Sequence, residues 1–146
     1  MRRFPTALGA TALASATLLA PSASGRVQHL TLRYLAVQTS SREINRGARG
    51  IGPGDSFAFT EKLLVRRGVA GSDRVRCDVL SRTRFFCRGR LFFREGTIAV
   101  RGVISATTGH PSLPITGGTG VFRGQRGRVR VGDAPHGHSS LRLTLR

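Results

Sequence analysis

Lysine is nearly missing. Of 24 basic residues only Lys62 is lysine; the rest are arginine. That shortage decides how to read the stretch LPITGGTGVFRGQRG (residues 113–127), where glycines alternate with Arg123 and Arg126 as they would around a bound phosphate. A P-loop requires GxxxxGK[ST] between a strand and a helix. No lysine follows these glycines, and no helical pattern does. A dinucleotide fingerprint requires GxGxxG opening a helix; Gly118, Gly120 and Gly124 are spaced GxGxxxG instead. The glycines therefore read as backbone devices. Gly117, Gly118 and Gly120 are expected to form a tight turn between strands. Gly124 and Gly127 are expected to bulge or bend the strand that follows.

Metal-site patterns are missing too. Neither Cys77 nor Cys87 has a CxxC neighbour or a nearby histidine, so a zinc site is not expected. His136 and His138 form an HGH pair without a third ligand in view. Aromatics are scarce on the arginine-bearing faces, Phe86 and Phe92 excepted, which argues against base stacking and specific nucleic-acid binding. Acidic residues number 7, leaving a net charge of +17. A field of that size attracts anionic polymers and lipids without specificity and says little about fold. The arginine excess also fits a GC-rich bacterial coding bias.

Residues 1–25 differ from the rest. Arg2 and Arg3 precede an apolar run from Thr6 to Ala20, then APSASG. This is the three-part pattern of a secretory signal. Its apolar part, about 15 residues, is short for a membrane span, though an uncleaved anchor is the alternative. Removal would leave residues 26–146 as a single domain, secreted. In an exported chain an even cysteine count points to a disulfide; two buried thiols or one reactive cysteine are the alternatives.

Helical spacing is absent beyond the leader, and strands are what remain. Apolar and polar residues alternate in segments bounded by glycine and proline. Leu141, Leu143 and Leu145 share one parity, with Arg142 and Thr144 on the other. Val129 and Val131 oppose Arg128 and Arg130; Ile98, Val100 and Ile104 oppose Arg101. The segments fall near 27–38, 55–66, 73–80, 84–94, 96–107, 112–118, 120–131 and 139–146, with an irregular connection over 40–54. Short glycine-rich connections favour antiparallel neighbours. About eight such strands imply an all-β closed barrel or a sandwich. A turn near Arg82 would set Cys77 opposite Cys87, each in parity with apolar neighbours.

Beyond periodicity, LPITGGTGVFRGQRG resembles the C-terminal signature of dirigent proteins and the GGSG or GGTG segment of allene oxide cyclases. GPGDSFAFTEKL (52–63) resembles the GD…F…KL segment of the cyclases, TIAVRG (97–102) their ITVQG strand, and REIN (42–45) a Glu-Ile-Asn motif of their active site. The resemblance spans about residues 28–145. It implies an eight-stranded antiparallel closed β-barrel, calycin-like, that takes a small hydrophobic molecule into its lumen. It also implies an isomerase or cyclase, or a protein that steers coupling stereochemistry, working without metal or cofactor. A dimer or trimer would be in keeping with these relatives. The chain departs from them at two points. Pro111 and Ser112 stand where dirigent proteins carry an arginine, and Val37 or Gln38 where they carry a first-strand aspartate.

Glu61 shares parity with Phe57, Phe59, Leu63 and Val65. A carboxylate on an apolar barrel face is desolvated, which raises its pKa and suits acid–base work; the alternative is a rim residue paired with an arginine. The resemblance sets Glu61 where the cyclases place a lumen asparagine, and makes Glu43 and Asn45 counterparts of the residues that orient and polarise their substrate. Glu61, Glu43 and Asn45 are the candidate catalytic residues. Tyr34, Phe57, Phe59 and Phe85 are the candidate ligand contacts. A second reading is a non-catalytic cationic module that binds cell-envelope polyanions or lipid through its outer arginines.

Overall fold

In the computed structural model, which describes residues 29–47 and 50–146, eight strands close into one antiparallel barrel. They are β1 (Leu30–Ile44), β2 (Ser56–Val65), β3 (Gly68–Val79), β4 (Arg84–Phe93), β5 (Gly96–Ser105), β6 (Ser112–Gly118), β7 (Gly127–Asp133) and β8 (Ser139–Leu145). Each strand pairs with its neighbours in the chain, and β1 closes on β8 from Leu30 opposite Leu145 to Ala36 opposite Ser139. Closure leaves neither β1 nor β8 as a free edge of the sheet. The leader expected over 1–25 lies outside the described residues.

The period-2 faces are those of the sequence. Leu63, Leu91, Ile98 and Leu143 are fully buried inside the barrel, while Arg88, Arg101, Arg130 and Arg142 stand outside. Each buried aliphatic side chain contributes about 1.5–3 kcal/mol. Cys77 lies directly opposite Cys87 on β3 and β4, and the two form a disulfide on the inner face.

Three expectations are corrected, each by a local irregularity. First, the connection expected to begin at residue 40 begins only after Ile44, since β1 runs to Ile44. Thr39 is an extra residue between Gln38, opposite Glu61, and Ser40, opposite Thr60. Its hydroxyl donates to the Thr60 carbonyl at 3.1 Å. This bulge reverses the parity of the rest of β1. Arg42 is kept outside, and Glu43 comes opposite Phe57 on the inner face. Second, β3 begins at Gly68, and a bulge between Leu63 and Leu64 shifts its register against β2. Third, Gly117 and Gly118 are not turn residues but the end of β6. Gly120 opens a single 3-10 turn, Gly120–Phe122, and β7 starts only at Gly127, so Gly124 lies in the connection. Gly120 has φ 59°, and a Cβ there would meet the Glu95 carbonyl oxygen at 2.0 Å, so no other residue fits.

That turn closes one end of the barrel. It drives Phe122 inward against Phe93 (centroids 5.4 Å apart), which meets Tyr34 (5.3 Å). These three rings form a floor. The other end is a mouth, where Phe57 meets Phe85 edge-on with centroids 5.7 Å apart. The mouth loop between β1 and β2 is tied by Asp55. Its carboxylate accepts the backbone N–H groups of Arg46 (2.7 Å) and Gly52 (2.8 Å), and its carbonyl accepts that of Val79 (2.9 Å). Those two N–H donors hold the Asp55 carboxyl below the usual carboxylate range.

Candidate functional site

Between mouth and floor the barrel is not filled. A cavity of about 160 Å³ is lined by Phe57, Phe59, Val75, Val100, Leu113, Val129 and their neighbours, with the Cys77–Cys87 disulfide in its wall. An apolar space of about 150 Å³ is large enough for one aromatic ring. Gly89 stands between Val75 and Val100 across the strands. It has no side chain to offer, and the methyls of Val75 and Val100 already come within 3.1 Å of where its Cβ would be.

Two charged side chains line this apolar cavity, Glu61 and Asp73. They occupy directly opposed positions on β2 and β3, so they share a face and their carboxyls are neighbours. Glu61 is 8% exposed and Asp73 2%. Neither has an ion-pair partner among the described residues, despite the arginines outside. Asp73 Oδ1 is buried without a hydrogen-bond partner. Burial pushes the Asp73 carboxyl up to about 7, with the charge of Glu61 adding to the rise. Burial raises Glu61 as well. Two carboxyls this close cannot both ionise cheaply, so near neutrality the pair holds one proton between them. One member can then donate a proton while the other accepts one.

The register bulge in β2–β3 creates this pair. From the hairpin end (Val65 opposite Gly68) the unshifted register would set Ser72 opposite Glu61, with Asp73 facing outward; the shift brings Asp73 in. Asp73 was missing from the sequence candidates because it stands at the expected start of its strand, where a polar residue is ordinary. Its parity with Val75, Cys77 and Val79 was the available signal.

The other candidates are distributed along the barrel axis. Phe57 and Phe59 line the cavity, their rings 6.4 Å apart, and Phe85 packs against Phe57 at the mouth. Glu43 is exposed at the rim, on the Phe57 face. Asn45 is occupied within the loop, its Nδ2 donating to the Gly50 carbonyl and its Oδ1 accepting the Gly47 N–H. Tyr34 lies in the floor beneath the cavity, not among its lining residues. Burial, then the charge of Glu95, raises its phenol pKa. Among the described residues no group of three histidine, cysteine or acidic side chains could hold a metal.

The closed barrel thus encloses an apolar lumen, open at one end, with an acid pair at mid-depth. No protein-family profile and no curated protein matches the sequence. Solved structures do match the fold. One is pyocyanin demethylase, 22% identical, covering 80% of this chain and 100% of that one, TM-score 0.75. Another is the Diels-Alderase AbmU from Streptomyces koyangensis, 23% identical over 85% of this chain and 70% of that one, TM-score 0.69. A pterocarpan synthase dirigent protein is 15% identical over 81% of this chain and 92% of that one, TM-score 0.60. The chain has the eight-stranded barrel fold shared by the dirigent and allene oxide cyclase-like superfamily.

Proposed function

We propose that this barrel binds a small hydrophobic molecule in its lumen and isomerises or cyclises it, with Glu61 and Asp73 as the proton-transfer pair. The observation that carries this reading is the burial of both carboxyls, unpaired by arginine, in an otherwise apolar cavity open at one end. The protonated carboxyl donates to an oxygen of the ligand while the ionised one withdraws a proton from carbon. The pair ends with one proton, as it began, and no electrons are exchanged. An apolar wall excludes water from such a step and strengthens the hydrogen bonds made within it. The activities named for the neighbours, a demethylase, a Diels-Alderase and a pterocarpan synthase dirigent protein, agree with small-molecule chemistry in this kind of lumen. Export is part of the proposal. The leader pattern motivates it, and the disulfide suits an oxidising compartment.

Native mass spectrometry of the full chain, purified from its own source, tests the reading. A retained apolar molecule is expected, lost in Val131→Trp, which fills the mouth. The neutral dye N-phenyl-1-naphthylamine should show the same loss. With the retained molecule or its precursor as substrate, Asp73→Asn and Glu61→Gln should keep binding within about threefold and lower turnover at least 100-fold. Turnover of the unaltered protein should fall above about pH 7, where the pair loses its proton. Dye binding indifferent to Val131→Trp would sink the lumen reading. Unaltered turnover in both carboxamide variants would remove the acid pair from the chemistry.

A further inference from the structure

The outer face of β1–β5 carries arginines in register. One row across the strands reads Arg42, Ala58, Arg76, Arg88 and Arg101, each residue directly opposite the next. The row beside it reads Ser40, Thr60, Arg74, Arg90 and Ala99. Six exposed arginines thus border a shallow depression of about 650 Å³, floored on this face by Ala58, Thr60 and Ala99. Like charges directly opposite one another destabilise a sheet. Here Arg76 faces Arg88, Arg88 faces Arg101 and Arg74 faces Arg90, against one nearby acid. Asp78 pairs with Arg76 at 3.3 Å and Arg88 at 2.8 Å, and the remaining arginines have no ion-pair partner among the described residues. A counter-charge from outside would relieve the repulsion.

We infer that this face is a binding site for a linear phosphate polymer in solution. Arginine forks bind phosphate oxygens two at a time, and adjacent forks in register can bind successive groups of one chain. The aromatic rings on this face are already covered. Arg74 lies over Phe92 (5.6 Å), and Arg88 and Arg101 over Phe86 (5.9 and 5.3 Å). No free ring is left for base stacking, which disfavours single-stranded nucleic acid. The floor offers no large apolar side chain to enter a bilayer, which disfavours a membrane surface. The guanidiniums stacked on Phe86 and Phe92 are also held in place, lowering the entropy lost when the polymer binds.

The test measures binding of fluorescently tagged inorganic polyphosphate to the full chain at about 150 mM salt, where diffuse charge is screened. Arg74→Gln/Arg90→Gln/Arg101→Gln is compared with Arg33→Gln/Arg130→Gln/Arg142→Gln, a row on β1, β8 and β7 also in register. Both triples remove the same charge from exposed positions, so folding is not at stake in either. The first should weaken binding about tenfold or more and flatten its salt dependence, the second less than about threefold. Equal losses would overturn the inference, leaving only net charge at work. So would tighter binding to phosphatidylglycerol vesicles, or to single-stranded DNA of matched charge. The lumen variant Val131→Trp should leave polyphosphate binding unchanged.

Discussion

The two ends of this barrel are built on opposite plans. The floor is closed by three packed rings and by glycines whose neighbours leave no room for a side chain: a Cβ on Gly120 would strike Glu95, and one on Gly127 would strike Thr144 at 1.8 Å. The mouth has half-exposed rings, a loop tied by one aspartate, and glycines such as Gly54 with nothing within 4 Å. One end is specified by packing, the other by hydrogen bonds that leave an opening. Between them sits the acid pair, buried as the floor is buried yet reachable from the mouth. Stability should therefore reside at the floor and ligand access at the mouth.

The sharpest break in that contrast is Phe122→Ala against Phe85→Ala. Removing the buried floor ring should cost about 3–5 kcal/mol, and removing the half-exposed mouth ring about 1 kcal/mol, in urea unfolding. Only the mouth variant should leave a folded protein with altered dye binding. Next in size is the disulfide. Cys77→Ala/Cys87→Ala should cost about 2–3 kcal/mol by the chain-entropy account for a loop of about ten residues. Then comes pH. Both carboxyls have folded-state pKa values above their unfolded ones, so the folded chain binds more protons between about pH 4 and pH 7. Stability is highest on the acid side of that window and falls as pH rises through it, by on the order of 2 kcal/mol. Asp73→Asn should flatten the slope, and a wild-type slope of the opposite sign would refute the buried pair. Last, the glycines. Gly120→Ala should cost at least about 2 kcal/mol, whereas Gly54→Ala at the mouth, with φ 96° but open space, should cost about 1 kcal/mol.

Strands and faces were legible in the sequence because a half-buried strand repeats every two residues, and Leu141, Leu143 and Leu145 or Ile98 and Val100 keep that repeat without interruption. Glu61 was legible for the same reason, as the odd residue in an apolar parity. What escaped lies next to bulges. SSREI is polar in both parities, and the extra Thr39 exchanges its faces, so the second half of β1 read as a loop. Asp73 owes its inward position to a register shift three positions from the hairpin end of β2, which no local pattern announces. The GGTG segment was read as a tight turn because glycine marks conformational freedom. Its actual demand is steric, the close approach of one backbone to another at Gly120.

Neighbour order in the sheet equals order in the chain, with a single exception: the closing pair, β1 with β8. That pair sets Leu30 beside Leu145 at the floor end, so the two chain ends of the barrel adjoin. The fold is in this sense a cyclic string of hairpins cut at one arbitrary point. A circular permutant joining those ends and opened in the Ser105–Ser112 connection would keep every strand pairing. A tether attached at Leu30 or Leu145 would meanwhile hold the barrel by its base, with the opening turned outward.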